Sequence, residues 1–305
     1  MIKAILFDLD GTLLPMDQDE FTKGYFRLLA AKLAPHGYEP KTLIDTVWAG
    51  TAAMVKNTGV QTNEAAFWEM FSKTYGAEKT ERDKPLFQDF YAVDFERARA
   101  FCPRNDKAAE TVAKIKTLGC RVALATNPIF PRAATYSRIR WAGLVPEDFA
   151  FVTTYENSSY CKPNPDYYRD AAQRLGLSSG ECLMVGNDVQ EDMIAETVGM
   201  KVFLLTDCLI NRNGADISVW PNGGFDELLR WIERERAKAP RGKVAAFRDK
   251  NRPVICPAGS FWQGRPRRFR GKRGSNPAPF HTSYGRPCQT IFCSSPKGNS
   301  PARAR

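Results

Sequence analysis

The residues best suited to chemistry stand near the N-terminus, in IKAILFDLDGTLLPM. Asp8 and Asp10 lie one residue apart, directly after the apolar run Ala4, Ile5, Leu6 and Phe7 and just before Gly11 and Thr12. An unbroken apolar run suits a strand covered on both faces, although so short a run leaves a helix open. Gly11 marks a turn, so the two carboxylates are expected where the chain leaves the sheet, the edge at which open parallel α/β sheets bind ligands. Residues i and i+2 of an extended segment point the same way, so both acids face one small volume. Crowded anions are costly there unless a cation shares the space, and hard oxygen donors favour Mg2+. The plain alternative for this spacing is an Asx-turn with a solvated partner.

Three further stretches supply partners. Thr126 and Asn127 end CRVALATN, Lys162 precedes Pro163, Asn164 and Pro165, and Asp188 and Asp192 follow CLMVG. Each is expected at the C-terminal end of a strand or the start of the next helix, on the same edge as Asp8. Together they offer anions for a metal, a hydroxyl and backbone N–H groups for phosphate oxygens, and a cation, which suits phosphoryl transfer. Singly, each has a bland reading. Thr126 caps a turn, Lys162 is a solvated lysine, and Asp188 and Asp192 are like charges at a solvated helix start. Their joint occurrence at successive strand ends favours the chemical reading.

The elements that must position these residues follow a repeating pattern. CRVALATNP, FAFVTT, ECLMVGND and KVFLLTD read as strands, and PDYYRDAAQRLG and QEDMIAETVG as intervening helices. KAAETVAKIKTLG is a helix with Val112, Ile115 and Leu118 on one side and Gly119 closing it, and FDELLRWIERERAKA is the last, burying Phe225, Leu228, Leu229 and Ile232. This alternation predicts a Rossmann-like parallel sheet, an α/β core built from residues 1–15 and 105–239. Residues 16–104 interrupt it with four helical segments, FTKGYFRLLAAKL, LIDTVWAGTAAMV, EAAFWEMFSKTYG and LFQDFYAVDFERARAF, read as an inserted α-helical cap domain. Their aromatic stripes, such as Phe21, Tyr25, Leu28 and Leu29, are read as core.

Composition narrows the classes. The 305 residues hold no apolar run of transmembrane length, and aspartates at positions 8 and 10 argue against a signal peptide, so a cytoplasmic protein without a membrane partner is expected. Eight cysteines without a C-x-x-C pair indicate neither a zinc site nor a disulfide framework, and two histidines leave little room for His-based hydrolysis. The formal charge of +10 is unevenly spread. Residues 240–305 hold 15 Lys or Arg against one acid, a net of +14, which leaves residues 1–239 at −4. That Pro/Gly/Arg-rich stretch has no sustained periodicity and reads as a disordered basic tail. Its arginines and aromatics would let nucleic acid bind through residues 240–305 alone, but a tail without selected function, or a shifted reading frame joined near Ala239, is the preferred reading.

The pieces DLDGT at 8–12, ATN at 125–127, CKPNP at 161–165 and GNDVQED at 186–192, in this order, resemble the haloacid dehalogenase-like (HAD) hydrolase superfamily, in its form with a helical cap after the first strand. The resemblance covers residues 1 to about 235. It implies a two-step phosphatase in which Asp8 is the nucleophile, Asp10 the general acid and base, Thr126 the phosphate-binding hydroxyl and Lys162 the neutralising cation. Asp8, Asp10 through its main-chain carbonyl, and Asp188 would hold Mg2+, and Asp192 supplies the second acid near the metal or the lysine. Gly11, Thr12, Asn127 and Asp192 complete the substrate-binding side, with the Gly11 turn curling N–H groups toward the transferred group. The expected reaction is Mg2+-dependent hydrolysis of a small phosphorylated metabolite through an aspartyl-phosphate. Asp10 argues against a dehalogenase, and no cap lysine stands out for phosphonate cleavage. A sugar phosphomutase remains the alternative within the superfamily.

Overall fold

The computed structural model describes residues 1–103 and 105–238. Strands β1 (Ala4–Phe7), β2 (Arg121–Leu124), β3 (Cys182–Gly186), β4 (Lys201–Leu205) and the two-residue β5 (Asn222–Gly223) form one parallel sheet in the order β2-β1-β3-β4-β5. This is a doubly wound order, whose switch point between β1 and β3 opens the crevice in which such sheets bind ligands. β1 is an interior strand, flanked by β2 and β3, and all of its residues are buried. That burial is why AILF is apolar without alternation. Phe7 pairs in register with Leu124 on one side and Val185 on the other, so the residues following these strands emerge side by side.

Helices cover both faces. Ile5, Phe7, Val185 and Phe203 pack in one apolar layer with Val112 and Ile115 of α5 (Asp106–Thr117) and with Leu228 and Ile232 of α8 (Phe225–Ala237). Leu6, Met184, Val202 and Leu204 form the other with Tyr167, Tyr168 and Ala171 of α7 (Pro165–Arg174). Between β1 and α5 the chain makes α1 (Gln18–Leu33), α2 (Pro40–Val55), α3 (Asn63–Tyr75) and α4 (Ala77–Ala92). Their starts are fixed by side-chain caps, Asp17 for α1, Glu39 for α2 and Thr62 for α3. Each such cap contributes about 1 kcal/mol. Phe71 packs against Phe67, Tyr75 and Phe87, so the aromatics of these helices build their own core.

Several expectations change in detail. FAFVTT makes only an isolated parallel bridge, Val152 to Leu124. Ala150 N and Thr153 N donate to Val122 and Leu124 carbonyls, but Thr154 N then donates to Asn157 Oδ1, and that turn pulls the chain off the edge of β2. QEDMIAETVG is a short 3₁₀ segment, Met193–Val198, cut off by Gly199 at φ 87°. The last inserted segment begins earlier than its apolar pattern suggests, at Ala77, and leaves the α-helix after Ala92 for a 3₁₀ stretch, Asp94–Phe101. Leu229 is only partly buried on α8, unlike Phe225, Leu228 and Ile232. An unforeseen helix, α6 (Arg132–Trp141), follows β2. Among the described residues no helix is long and apolar enough to cross a membrane. The basic stretch 240–305 lies outside the described residues, as do Arg104 and Ala239.

Candidate active site

The loop after β1 is a tight turn closed by its own backbone. Gly11 N donates to Leu14 O at 2.8 Å, Leu14 N to Leu9 O at 2.8 Å and Thr12 N to Leu9 O at 3.2 Å. Gly11 sits at φ 81°, and a Cβ there would fall 2.3 Å from Asn187 Nδ2, so the position demands glycine twice over. Thr12 Oγ1 donates to Asn187 Oδ1 at 2.9 Å, and Asn187 Nδ2 to Cys208 O at 2.6 Å. The Gly11 and Thr12 N–H groups are therefore used in closing the loop, and the Thr12 hydroxyl in bracing it against the segment after β3. Gly11 and Thr12, expected on the substrate-binding side, thus shape the loop after β1. Within the loop, the N–H groups of Leu9, Asp10 and Leu13 are without a hydrogen-bond partner among the described residues.

Asp8, 7 % exposed, leaves β1 with its N–H still bonded to Val185 O. Its Oδ1 accepts from Lys162 Nζ at 2.8 Å, and the same ammonium donates to Asp192 Oδ1 at 2.6 Å. Asp8 Oδ2 has no hydrogen-bond partner among the described residues. Lys162 is 1 % exposed. Burial alone would strip its proton, but Asp192 and Asp8 override it and hold the ammonium well above its ordinary pKa. Burial likewise pushes the Asp192 carboxyl upward, against the pull of Lys162. Asp192 Oδ2 accepts the N–H of Asp188 at 3.0 Å, and a Cβ on Gly186 would strike that oxygen at 2.0 Å, so the glycine makes room for the acid.

Thr126 is 2 % exposed and is held by its carbonyl, which accepts from Thr153 Oγ1 at 2.7 Å and Tyr167 OH at 2.8 Å. Its hydroxyl has no hydrogen-bond partner among the described residues. Asn127 Oδ1 accepts from Lys162 N at 3.2 Å, and its Nδ2 donates to Glu191 Oε2 at 3.1 Å. Burial, with Asp188 nearby, pushes the Glu191 carboxyl up to about 8. Asp188 Oδ1 accepts from the N–H groups of Gln190 and Glu191, and its Oδ2 pairs with Arg212 at 2.5 Å.

Asp10 does not share Lys162. Its Oδ2 is paired with Arg138 of α6, and its Oδ1 is buried without a hydrogen-bond partner. Among the described residues no three His, Cys, Asp or Glu side chains gather at metal-binding spacing, and Asp8, Asp10 and Asp188 each face a different base. Sequence reasoning did not find Arg138, Asn187, Glu191 or Arg212. Glu191 lies inside GNDVQED and Asn187 adjoins Asp188, so spacing could have raised both; Arg138 and Arg212 carry no such mark. The inserted helices reach the site through Asn63 at the start of α3, which is fully buried. Its N–H donates to Ser158 O at 2.8 Å, and its Nδ2 faces Pro128 O, Tyr160 O and Cys161 Sγ. These acceptors adjoin Asn127 and Lys162.

A family model described as haloacid dehalogenase-like hydrolase matches residues 2–195. The chain belongs to this family. Among curated HAD-like relatives, YhcW of Bacillus subtilis is 28% identical over 208 residues, covering 67% of this chain and 84% of its own. Phosphoglycolate phosphatase of Yersinia pseudotuberculosis is 26% identical, covering 67% and 81%. Glyceraldehyde 3-phosphate phosphatase of Methanothermobacter thermautotrophicus is 25% identical, covering 72% and 95%. The solved structure of 2-haloacid dehalogenase from Pseudomonas syringae pv. Tomato superposes with a TM-score of 0.54 at 18% identity, over 77% of this chain and all of that one. At that identity the likeness establishes the HAD fold alone.

Proposed function

We propose that the protein is a Mg2+-dependent phosphomonoester hydrolase that acts on a small organic phosphate through an aspartyl-phosphate on Asp8. The carrying observation is the buried Lys162, shared between Asp8 and Asp192 while Asp8 Oδ2 stays free at the switch point of the sheet. Oδ2 attacks phosphorus in line with the leaving oxygen, and Lys162 offsets the approach of anion to anion. The Thr126 hydroxyl and the N–H groups of Leu9 and Asp10 hold the phosphoryl oxygens. Asp10 Oδ1 donates a proton to the leaving alkoxide, then takes one from the water that attacks the aspartyl-phosphate and releases phosphate. Curated relatives that act on phosphoglycolate and glyceraldehyde 3-phosphate support a small substrate.

The donor set fits a hard divalent cation. Asp8 and Asp188 offer carboxylate oxygens and Asp10 its carbonyl, and the present partner of the buried Asp188, Arg212, is 41% exposed, so a cation that takes its place leaves the guanidinium in solvent. Bound there, Mg2+ supplies charge neutralisation at the transferred group. Rapid acid quench during turnover, followed by peptide mass spectrometry, should find phosphate on Asp8, and none in Asp8→Asn. Phosphate on another residue, or full-rate turnover without divalent cation, would overturn this reading.

A further inference from the structure

The phosphoryl-transfer scheme gives Arg138 no task, yet it is among the largest fully buried side chains of the molecule, 1 % exposed. A buried guanidinium is costly unless its edges and face are occupied. α6 and the loop before it occupy them. Nε points to Ala134 O at 3.4 Å and Nη2 to Thr135 Oγ1 at 3.4 Å, and the cation lies 4.3 Å from the centroid of the Phe130 ring. Three contacts thus come from the arginine's own helix and adjoining loop, and Nη1 alone reaches across to Asp10 Oδ2.

The consequence falls on the other oxygen of Asp10. The terminal torsion of an aspartate is broad, so a carboxylate without a fixed partner turns freely. Once Oδ2 is held, Oδ1 must point away from the guanidinium, and Oδ1 is the buried oxygen without a partner. Such atoms are rare in folded proteins, and each asks for an explanation. The cations are also divided. Lys162 serves Asp8 and Asp192, whereas Arg138 serves Asp10, so two carboxylates two residues apart can both be ordered without competing for one ammonium.

We propose that Arg138 is the positioning residue for proton transfer: by gripping Oδ2 it aims Oδ1 of Asp10 first at the leaving-group oxygen and then at the attacking water. The inference rests on Asp10 being the proton carrier of the reaction proposed above. Arg138 touches no reacting atom and exchanges no proton.

A double-mutant cycle with Mg2+ present tests it, using an aryl phosphate whose leaving group needs no acid. Asp10→Asn, Arg138→Met and the double variant are compared by kcat, KM and the fraction of acid-trapped phosphoenzyme. R138M should lower kcat about 10- to 100-fold with KM within about twofold. Its phosphoenzyme should accumulate, because the second step still needs a base. In the D10N background the same substitution should change kcat less than about twofold, since a residue that acts through Asp10 has nothing left to act on. Equal losses in both backgrounds, or a raised KM with kcat intact, would overturn the proposal and leave the Asp10 reading standing. A D10N enzyme with wild-type turnover would instead remove that reading, and the proposal with it. Melting curves check the fold; should R138M fail to fold, Arg138→Lys, which keeps the charge but loses the planar fork, completes the cycle with the same expectations in smaller measure.

Discussion

Lys162 answers for two buried carboxylates at once, so it and Asp8 should respond differently to substitution. Lys162→Met leaves Asp8 and Asp192 facing each other without a cation, which should cost about 3–5 kcal/mol of stability along with turnover. Asp8→Asn leaves Lys162 still paired with Asp192, so turnover should vanish while stability changes far less. Denaturant melts beside a phosphatase assay check this, and equal melts would mean that Lys162 is not what holds the two acids. The contrast also shows what a sequence can disclose about a site. Asp8, Lys162 and Asp192 were legible because each follows a strand at a fixed place in an ordered set. Arg138 was not, because its meaning lies in a contact across 128 residues, made from a helix with no apolar stripe to announce it. Gly11 was legible as a turn, but sequence shows only that a loop must be tight, not which of its N–H groups the tightness uses.

The inserted helices carry their own electrostatic anchor. Asp83 of α4, its side chain 9% exposed, accepts from Arg82, Lys79 and Tyr38, a residue in the connection between α1 and α2. Arg82 above all, with Lys79 and Tyr38 and against the effect of burial, holds the Asp83 carboxyl well below its usual range. A carboxyl depressed on folding contributes stability that is present above its unfolded pKa of about 3.9 and is lost as pH falls through the folded value. Asp83→Asn should therefore lower stability by roughly 1–3 kcal/mol at pH 7. Below about pH 4 the wild-type and variant melting temperatures should draw together. A gap that persists undiminished at low pH would show that the network acts by packing, not charge. At this scale the sequence showed which stretches are helical but misplaced their ends. α4 starts after Gly76, at φ 80°, and runs through Pro85, so neither a periodicity count nor the proline marked its start. FAFVTT failed as a strand because the local Asn157 turn that follows it outweighed its β-branched and aromatic content.

Across the whole molecule, every residue placed at the site lies between Asp8 and Arg212, and α8 ends at Ala237. A chain ending at Ala239 should keep its melting temperature and phosphatase activity, while losing the 14 net positive charges of residues 240–305. Any salt-dependent retention on single-stranded RNA should disappear with them. Loss of folding or of most turnover would show that the basic stretch belongs to the body. The parallel sheet was legible from the β-α alternation, but not that β1 would lie inside it, between β2 and β3.

That place between two strands has a cost in time. β1 ends at Phe7, yet its two neighbours, β2 and β3, begin only at Arg121 and Cys182. AILF therefore lacks both flanking strands until β2 has been made and one of them until β3 has, so an apolar segment made to be covered on every side waits for its cover. Pairings this distant in sequence slow folding and leave unpaired edges exposed to aggregation. The inserted helices lengthen the wait, because they stand between β1 and both of its neighbours, so the same insertion that gives the site its neighbours also lengthens the loop that folding must close.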